Sequence, residues 1–380
     1  MSDPTSQTGL EPEPDNVTPP VVEKLNPYGL SHYDLLNACV RFGMERYRAK
    51  QIRDWMFRHL VAEINQYSNV SNRDRKLISA NFELAPGEVV NQQTSEDGTF
   101  KLLVKWKRPE GFDNPTTETV MIPDEDRHTA CVSSQIGCPV GCRFCASGVN
   151  GLKANLDAGE IVFQVVLLNR ILLQQKRHLT NLVFMGMGEP LANFGSVMKA
   201  IRIITDEHGI AMGARRITVS SVGVPPKIRE LADFGIPVNL ALSLHAPNEP
   251  LRRQLIPWAE HFSLPDILDA CRYYFDQTGR EITLEYILLK GVNDQPEHAR
   301  ELAQLCRTIR SNVNLIRYNE VDGLPFERPK SDDVVAFQTI LQDAGVNAHV
   351  RKSRGRDIAA ACGQLRRLNM SSAPQSVGLG

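Results

Sequence analysis

The sequence predicts an α/β protein: a parallel domain of about six repeating β/α units, like an incomplete eight-unit barrel, with a small helical domain in front. Three observations carry this. After Cys131, short strand-like runs alternate with longer helical ones in regular order. Between about residues 90 and 125 the apolar positions alternate instead. Residues 31–60 have the helical period. A doubly wound open sheet shows the same alternation, so the pattern leaves curvature open.

The first 25 residues carry five prolines and five acidic residues against one lysine, too little apolar surface to offset the entropy of ordering. They read as a disordered tail, and residues 367–380 as a flexible C-terminus. In SHYDLLNACVRFGMERYRAKQIRDWMFRHL, Ser31 is a candidate N-cap and Gly43 divides two helices. From Arg41 to His59 there are six Lys or Arg against two acids, with Tyr47, Trp55 and Phe57 interleaved. That suits a phosphate backbone, and equally a solvated amphipathic face. The helical accessory domain is expected over 26–88. TFKLLVKW and TETVMIP then form a hairpin adaptor over 89–124, and the parallel core fills 125–366. Its strands are expected near 182–186, 216–221, 238–244, 282–289, 314–318 and 348–353, with helical runs between them.

No positively charged, apolar leader opens the sequence and no run is long enough to span a bilayer, so a cytoplasmic protein with no membrane partner is expected. The net charge of −1 confines any nucleic-acid surface to a local patch. Four of the eight cysteines lie within CVSSQIGCPVGCRFC, residues 131–145. In a reducing compartment such clusters bind metal or do chemistry more often than they form disulfides. Cys138, Cys142 and Cys145 form C-x3-C-x2-C. Zinc, with Cys131 as fourth ligand, would want two regular C-x2-C pairs rather than one. Three thiolates on a short loop suit a four-iron cluster whose last iron stays open to a substrate.

That cysteine spacing, with Phe144 before the last cysteine and an incomplete α/β barrel behind it, resembles the radical S-adenosylmethionine (SAM) superfamily. FMGMGEPLAN (184–193), ITVSSVG (217–223), LSLHAPN (242–248), LLKGVND (288–294) and RGRDIAAACGQL (354–365) narrow the resemblance to the RlmN family of RNA adenine methyltransferases, with Cfr as a close relative. The match runs from about residue 27 to 366. It implies a partial (β/α)6 TIM-like radical SAM barrel with a small N-terminal helical domain, one [4Fe-4S] cluster and SAM as cofactors, and 23S rRNA and tRNA as partners. An electron donor such as flavodoxin or ferredoxin and a monomeric state go with it.

The resemblance also assigns residues. Cys138, Cys142 and Cys145 match the cluster ligands, and Cys362 the cysteine that carries the methyl group. Cys131 matches the cysteine that resolves the RNA adduct through a transient disulfide, and Glu118 the base that takes the ring proton. Gly188, Glu189, Ser220, Ser243, Leu244, His245 and Asn319 match SAM contacts at strand ends. Arg351, Lys352, Arg354, Arg356 and the basic helix from Arg46 to Arg58 are candidates for phosphate. Carbon 2 of adenine is too electron-poor to attack SAM directly, so the implied route is a radical one in which a methylene on Cys362 adds to the ring.

Ala154 and Glu320 depart from the family's pattern, where a basic residue and a proline are common. Competing readings are a Cfr-like carbon 8 methyltransferase, a zinc-stabilised non-catalytic RNA-binding protein, and an iron–sulfur electron carrier. Bringing Cys131 next to Cys362 requires either a closed ring of strands or a folded-back tail.

Overall fold

Ser31 caps the first helix through a reciprocal capping box with Asp34, which fixes where helix α1 (His32–Arg41) begins. The computed structural model describes residues 24–365, so most of the expected N-terminal tail and the whole C-terminus beyond 366 lie outside the described residues. Gly43, at φ 75°, ends the first helical run. Helix α2 (Arg48–Arg53) follows and continues as a π-helical turn over Asp54–Arg58, and α3 (Asn72–Asn81) completes the helical part.

Two cations of the basic run are buried and not on a solvated face. Arg48 pairs with Asp74 at 2.8 Å. Arg53, 1% exposed, donates to the carbonyls of His208 at 2.7 Å and Leu30 at 3.0 Å. Arg41, Arg46, Lys50 and Arg58 remain exposed.

Strands β1 (Gly87–Thr94), β2 (Phe100–Trp106), β3 (Thr116–Asp124) and β4 (Arg127–Cys131) form an antiparallel meander in which the expected hairpin is the central pair. The cysteine loop follows. A small ribbon of β5 (Gln135–Gly137) and β6 (Leu152–Asn155) flanks it.

Helices then alternate with strands: α4 (Ala158–Gln174), β7 (Asn181–Phe184), α5 (Phe194–Thr205), β8 (Ile217–Ser221), α6 (Pro225–Ala232), β9 (Asn239–Ser243), α7 (Glu249–Leu255), α8 (Leu264–Thr278), β10 (Ile282–Leu288), α9 (Pro296–Cys306), β11 (Ser311–Arg317), α10 (Ser331–Asp343) and β12 (Ala348–Arg351). All six expected parallel strands are present. A seventh, β4, pairs parallel with β7 and heads the series, so six β/α units run from β4 and β12 closes them.

The meander and the parallel strands form one ten-stranded sheet. Among the described residues no ladder joins its two edge strands, β1 and β12. The chain after β12 crosses this gap instead. Arg354 reaches Asp124 at 3.0 Å, Gly355 N donates to Asp97 at 3.0 Å, and Ser95 Oγ donates to Asp357 at 2.6 Å. The folded-back tail, rather than strand closure, therefore brings Cys362 over the sheet.

The helical part docks on the back of the core. Tyr28 packs its ring 5.0 Å from Phe163 and 5.9 Å from Phe57. Arg170 Nε donates to the Leu60 carbonyl at 2.7 Å. No helix among the described residues is long and apolar enough to cross a membrane.

Candidate active site

The C-terminal ends of the parallel strands open onto a cavity of about 140 Å³. Cys138, Cys142 and Cys145 line one wall; Gly188, Glu189, Ser220, Ser243 and His245 line the other, and Cys362 borders it. Burial pushes the Cys138 thiol up to about 12, and burial, then the neighbouring thiols, hold Cys142 well above the ordinary thiol value. Cys145 is raised too, chiefly by burial. Three converging thiols of this kind ionise only when a cation offsets their charge, which suits a metal centre. Their C-x3-C-x2-C spacing in the sequence suits a polynuclear cluster better than one tetrahedral zinc.

Gly188 adopts φ 105°, and a Cβ there would lie 2.7 Å from Gln135 Cβ and Ser134 Oγ. Only glycine lets the loop after β7 pass this close. Glu189, 3% exposed, accepts from Val222 N at 2.9 Å and Leu191 N at 3.0 Å. Burial raises its carboxyl to about 7 against those donors. Ser220 and Ser243 share a hydrogen bond of 3.1 Å across β8 and β9. His245 Nδ1 accepts from Ile287 N at 3.1 Å, which leaves the proton on Nε2. Burial, and then Arg252, lower its pKa to about 3, so the ring is neutral.

Two of the expected SAM contacts lie elsewhere. Leu244 turns its side chain into the main core and does not line this cavity. Asn319 lines an adjoining one, where its Nδ2 donates to the Cys362 carbonyl at 3.4 Å.

That second cavity is walled by Cys131, Met185, Ile316, Arg351 and Cys362. Cys131 sits opposite Val120 in the ladder of β3 and β4, two residues along β3 from Glu118, so all three project to one face. Burial and then Cys362 push the Cys131 thiol up to about 12. Cys131 and Cys362 are both free thiols here. A third hollow holds Glu118, Lys101, Arg356 and tail residues 357–359. Glu118, 1% exposed, pairs with Lys101 at 2.8 Å.

Sequence reasoning missed Lys101, Glu285 and Arg252. Arg351, its side chain about a third exposed, has its Nη1 3.3 Å from buried Glu285 and borders both cavities. A charge inside a strand pattern, as in FKLLV and ITLEYILL, is the signal that could have revealed Lys101 and Glu285.

Two family models match this chain: the radical SAM superfamily over residues 132–303, and the ribosomal RNA large subunit methyltransferase N-terminal domain over 25–84. A relative named "probable dual-specificity RNA methyltransferase RlmN" in Bacillus thuringiensis subsp. konkukian is 41% identical, covering 90% of this chain and 94% of its own. Its namesake in Gloeobacter violaceus is 44% identical, covering 88% and 93%. The chain belongs to the RlmN family of radical SAM methyltransferases. The crystal structure of a radical SAM methyltransferase from Sphaerobacter thermophilus superposes with a TM-score of 0.87 at 42% identity, over 90% of this chain and 99% of that one. The fold of that methyltransferase is thus shared over 90% of this RlmN-family chain.

Proposed function

We propose that this protein methylates carbon 2 of an adenosine in the peptidyl-transferase centre of 23S rRNA and of the adenosine 3′ of the anticodon in tRNA. Its relatives' names support RNA and dual specificity. One observation carries the mechanism: Cys362 borders both the cavity of the three clustered cysteines and the cavity of Cys131. A sulfur that collects a one-carbon unit on one side and is released by a thiol on the other needs that position.

Cys138, Cys142 and Cys145 would hold a [4Fe-4S] cluster, and Gly188, Glu189, Ser220, Ser243 and His245 would surround SAM. When bound, these groups supply a methyl group and one-electron radical chemistry, fed by a donor such as flavodoxin or ferredoxin. The remaining steps fall to the chain. The Cys362 thiolate takes the methyl group, with the Arg351 guanidinium beside it. Glu118 takes the proton from the substituted ring carbon. The Cys131 thiolate then attacks the Cys362 sulfur, forming the disulfide as the sulfur–carbon bond breaks; that bond's electron pair passes to the carbon left on the RNA, which takes up a proton and becomes the methyl group. The target base must leave its stack to reach this depth. Residues 26–88, with Arg46, Lys50 and Arg58 exposed, serve as the RNA-binding accessory part, 89–124 as adaptor and 125–366 as catalytic core; the protein works as a monomer.

Mass mapping of 23S rRNA and tRNA from cells with and without the gene tests the reading. We expect 2-methyladenosine at both positions to vanish with the gene. Unchanged RNA, or loss of a carbon 8 methyl group instead, would overturn it.

A further inference from the structure

Beneath the cysteine loop lies a buried cation with no acid of its own. Helix α7 is capped by Asn248, which accepts from Leu251 N at 3.0 Å, and its last residue, Leu255, accepts from Arg143 N in the cysteine loop at 3.0 Å. Arg252, midway along the helix, is 2% exposed. One terminal nitrogen donates to the Val222 carbonyl, while its buried Nε has no hydrogen-bond partner among the described residues.

The titratable groups around it are Cys142, Glu249, Cys271 and His245. Glu249 is partly exposed and already engaged, accepting from Leu264 N at 2.7 Å and pairing with Arg253 at 3.7 Å. His245 is neutral, and burial holds Cys271 as a thiol. Burial lowers the Arg252 pKa only to about 10, so the side chain stays charged at neutral pH. Burying a charge without a partner is strongly unfavourable, so its retention calls for one.

We propose that Arg252 is the counter-charge of the cluster held by Cys138, Cys142 and Cys145, balancing its thiolates and raising the potential at which it accepts an electron. The inference rests on the cluster reading given above. Reduction adds one electron from a one-electron donor, dithionite in the test, and changes no bond. A fixed cation in a low-dielectric wall favours the more negative product. Arg252 acts through the cluster and is a positioning residue for charge.

The test uses the full chain, reconstituted anaerobically with iron and sulfide, as wild type, Arg252→Lys, Arg252→Gln and Arg252→Met. Midpoint potentials come from redox titration followed by electron paramagnetic resonance, and melting temperatures are taken with and without the cluster. The midpoint should fall in the Gln and Met variants and stay near wild type in Lys. Without cluster, the Met variant should melt no lower than wild type, because removing an uncompensated charge relieves the fold. With cluster, its gain in melting temperature should be smaller. Should the Met variant fail to fold, the Gln variant carries both comparisons. Equal midpoints in all four proteins overturn the inference, as does a Lys variant that falls with the others, since the hydrogen bond to Val222 would then be the cause. If the wild type takes up no iron and sulfide, the cluster reading itself fails.

Discussion

Lys101 grips Glu118 and the tail at once: its ammonium lies 2.8 Å from Glu118 Oε1 and donates to the Ala359 carbonyl at 3.1 Å. Both side chains are buried and project from adjacent strands. Breaking a buried pair from one side costs about 3–5 kcal/mol, so Lys101→Met should destabilise the protein by that order. Lys101→Met combined with Glu118→Gln should recover part of the loss, because no buried carboxylate then lacks its ammonium. Denaturant unfolding of the four proteins in this cycle checks the coupling; strict additivity would disprove it.

The two outlying cysteines should fail differently. Cys362→Ala abolishes RNA methylation and leaves no adduct, while Cys131→Ala lets the RNA attach and stops there. Denaturing gels of enzyme purified with its RNA separate the outcomes. Free, unmodified RNA from Cys131→Ala would count against the resolving role.

Gly188→Ala places a methyl group against Gln135 and Ser134 in a backbone region that disfavours side chains. Strain of about 1–3 kcal/mol corresponds to weaker SAM binding by roughly five- to 150-fold. Gly195, which has open space around its missing Cβ and lies in a helix, supplies the control. Gly195→Ala should leave SAM affinity alone and stabilise by up to about 1 kcal/mol. Equilibrium dialysis with labelled SAM decides.

Acid should loosen the tail. Burial pushes the Asp97 carboxyl up, but donors from Thr99, Gly355 and Ser95 outweigh it and hold it at about 2, against 3.8 for the free group. A depressed carboxyl contributes stability that is complete above its unfolded value and lost as pH falls through its folded one. Tail protection should therefore decline between about pH 4 and 2. Asp97→Asn should show faster hydrogen exchange at residues 352–365 at neutral pH and lose the acid transition. Identical exchange in the two proteins would exclude the tether.

In the basic run, exposed and buried arginines should part company. Arg46→Ala and Arg58→Ala should weaken RNA binding and each lower the salt slope by about 1. Arg53→Ala, which removes the donor to His208 and Leu30, should lower the melting temperature instead. Filter binding over a salt series and thermal unfolding distinguish the two classes.

The parallel core was legible because strand and helix periods alternate cleanly after Cys131, and the cysteine spacing pointed to the cluster loop. Strand β4 escaped because RHTAC is short and polar at its start, and β1 because GEVVNQQT, an edge strand, is mostly polar. Local pattern cannot reveal partners distant in sequence. Arg48 finds Asp74 and Arg53 finds His208, so side chains that read as solvated became packing. Arg351 likewise turned inward because Glu285, on β10, awaited it across β11.

Cys362 stands in the doorway between two rooms. If Cys362 carries the one-carbon unit, as proposed above, a sulfur so placed would need no swinging arm, since rotation about its own side-chain bonds would turn it from one room to the other. Donor and releasing thiol would then be kept apart by walls rather than by timing.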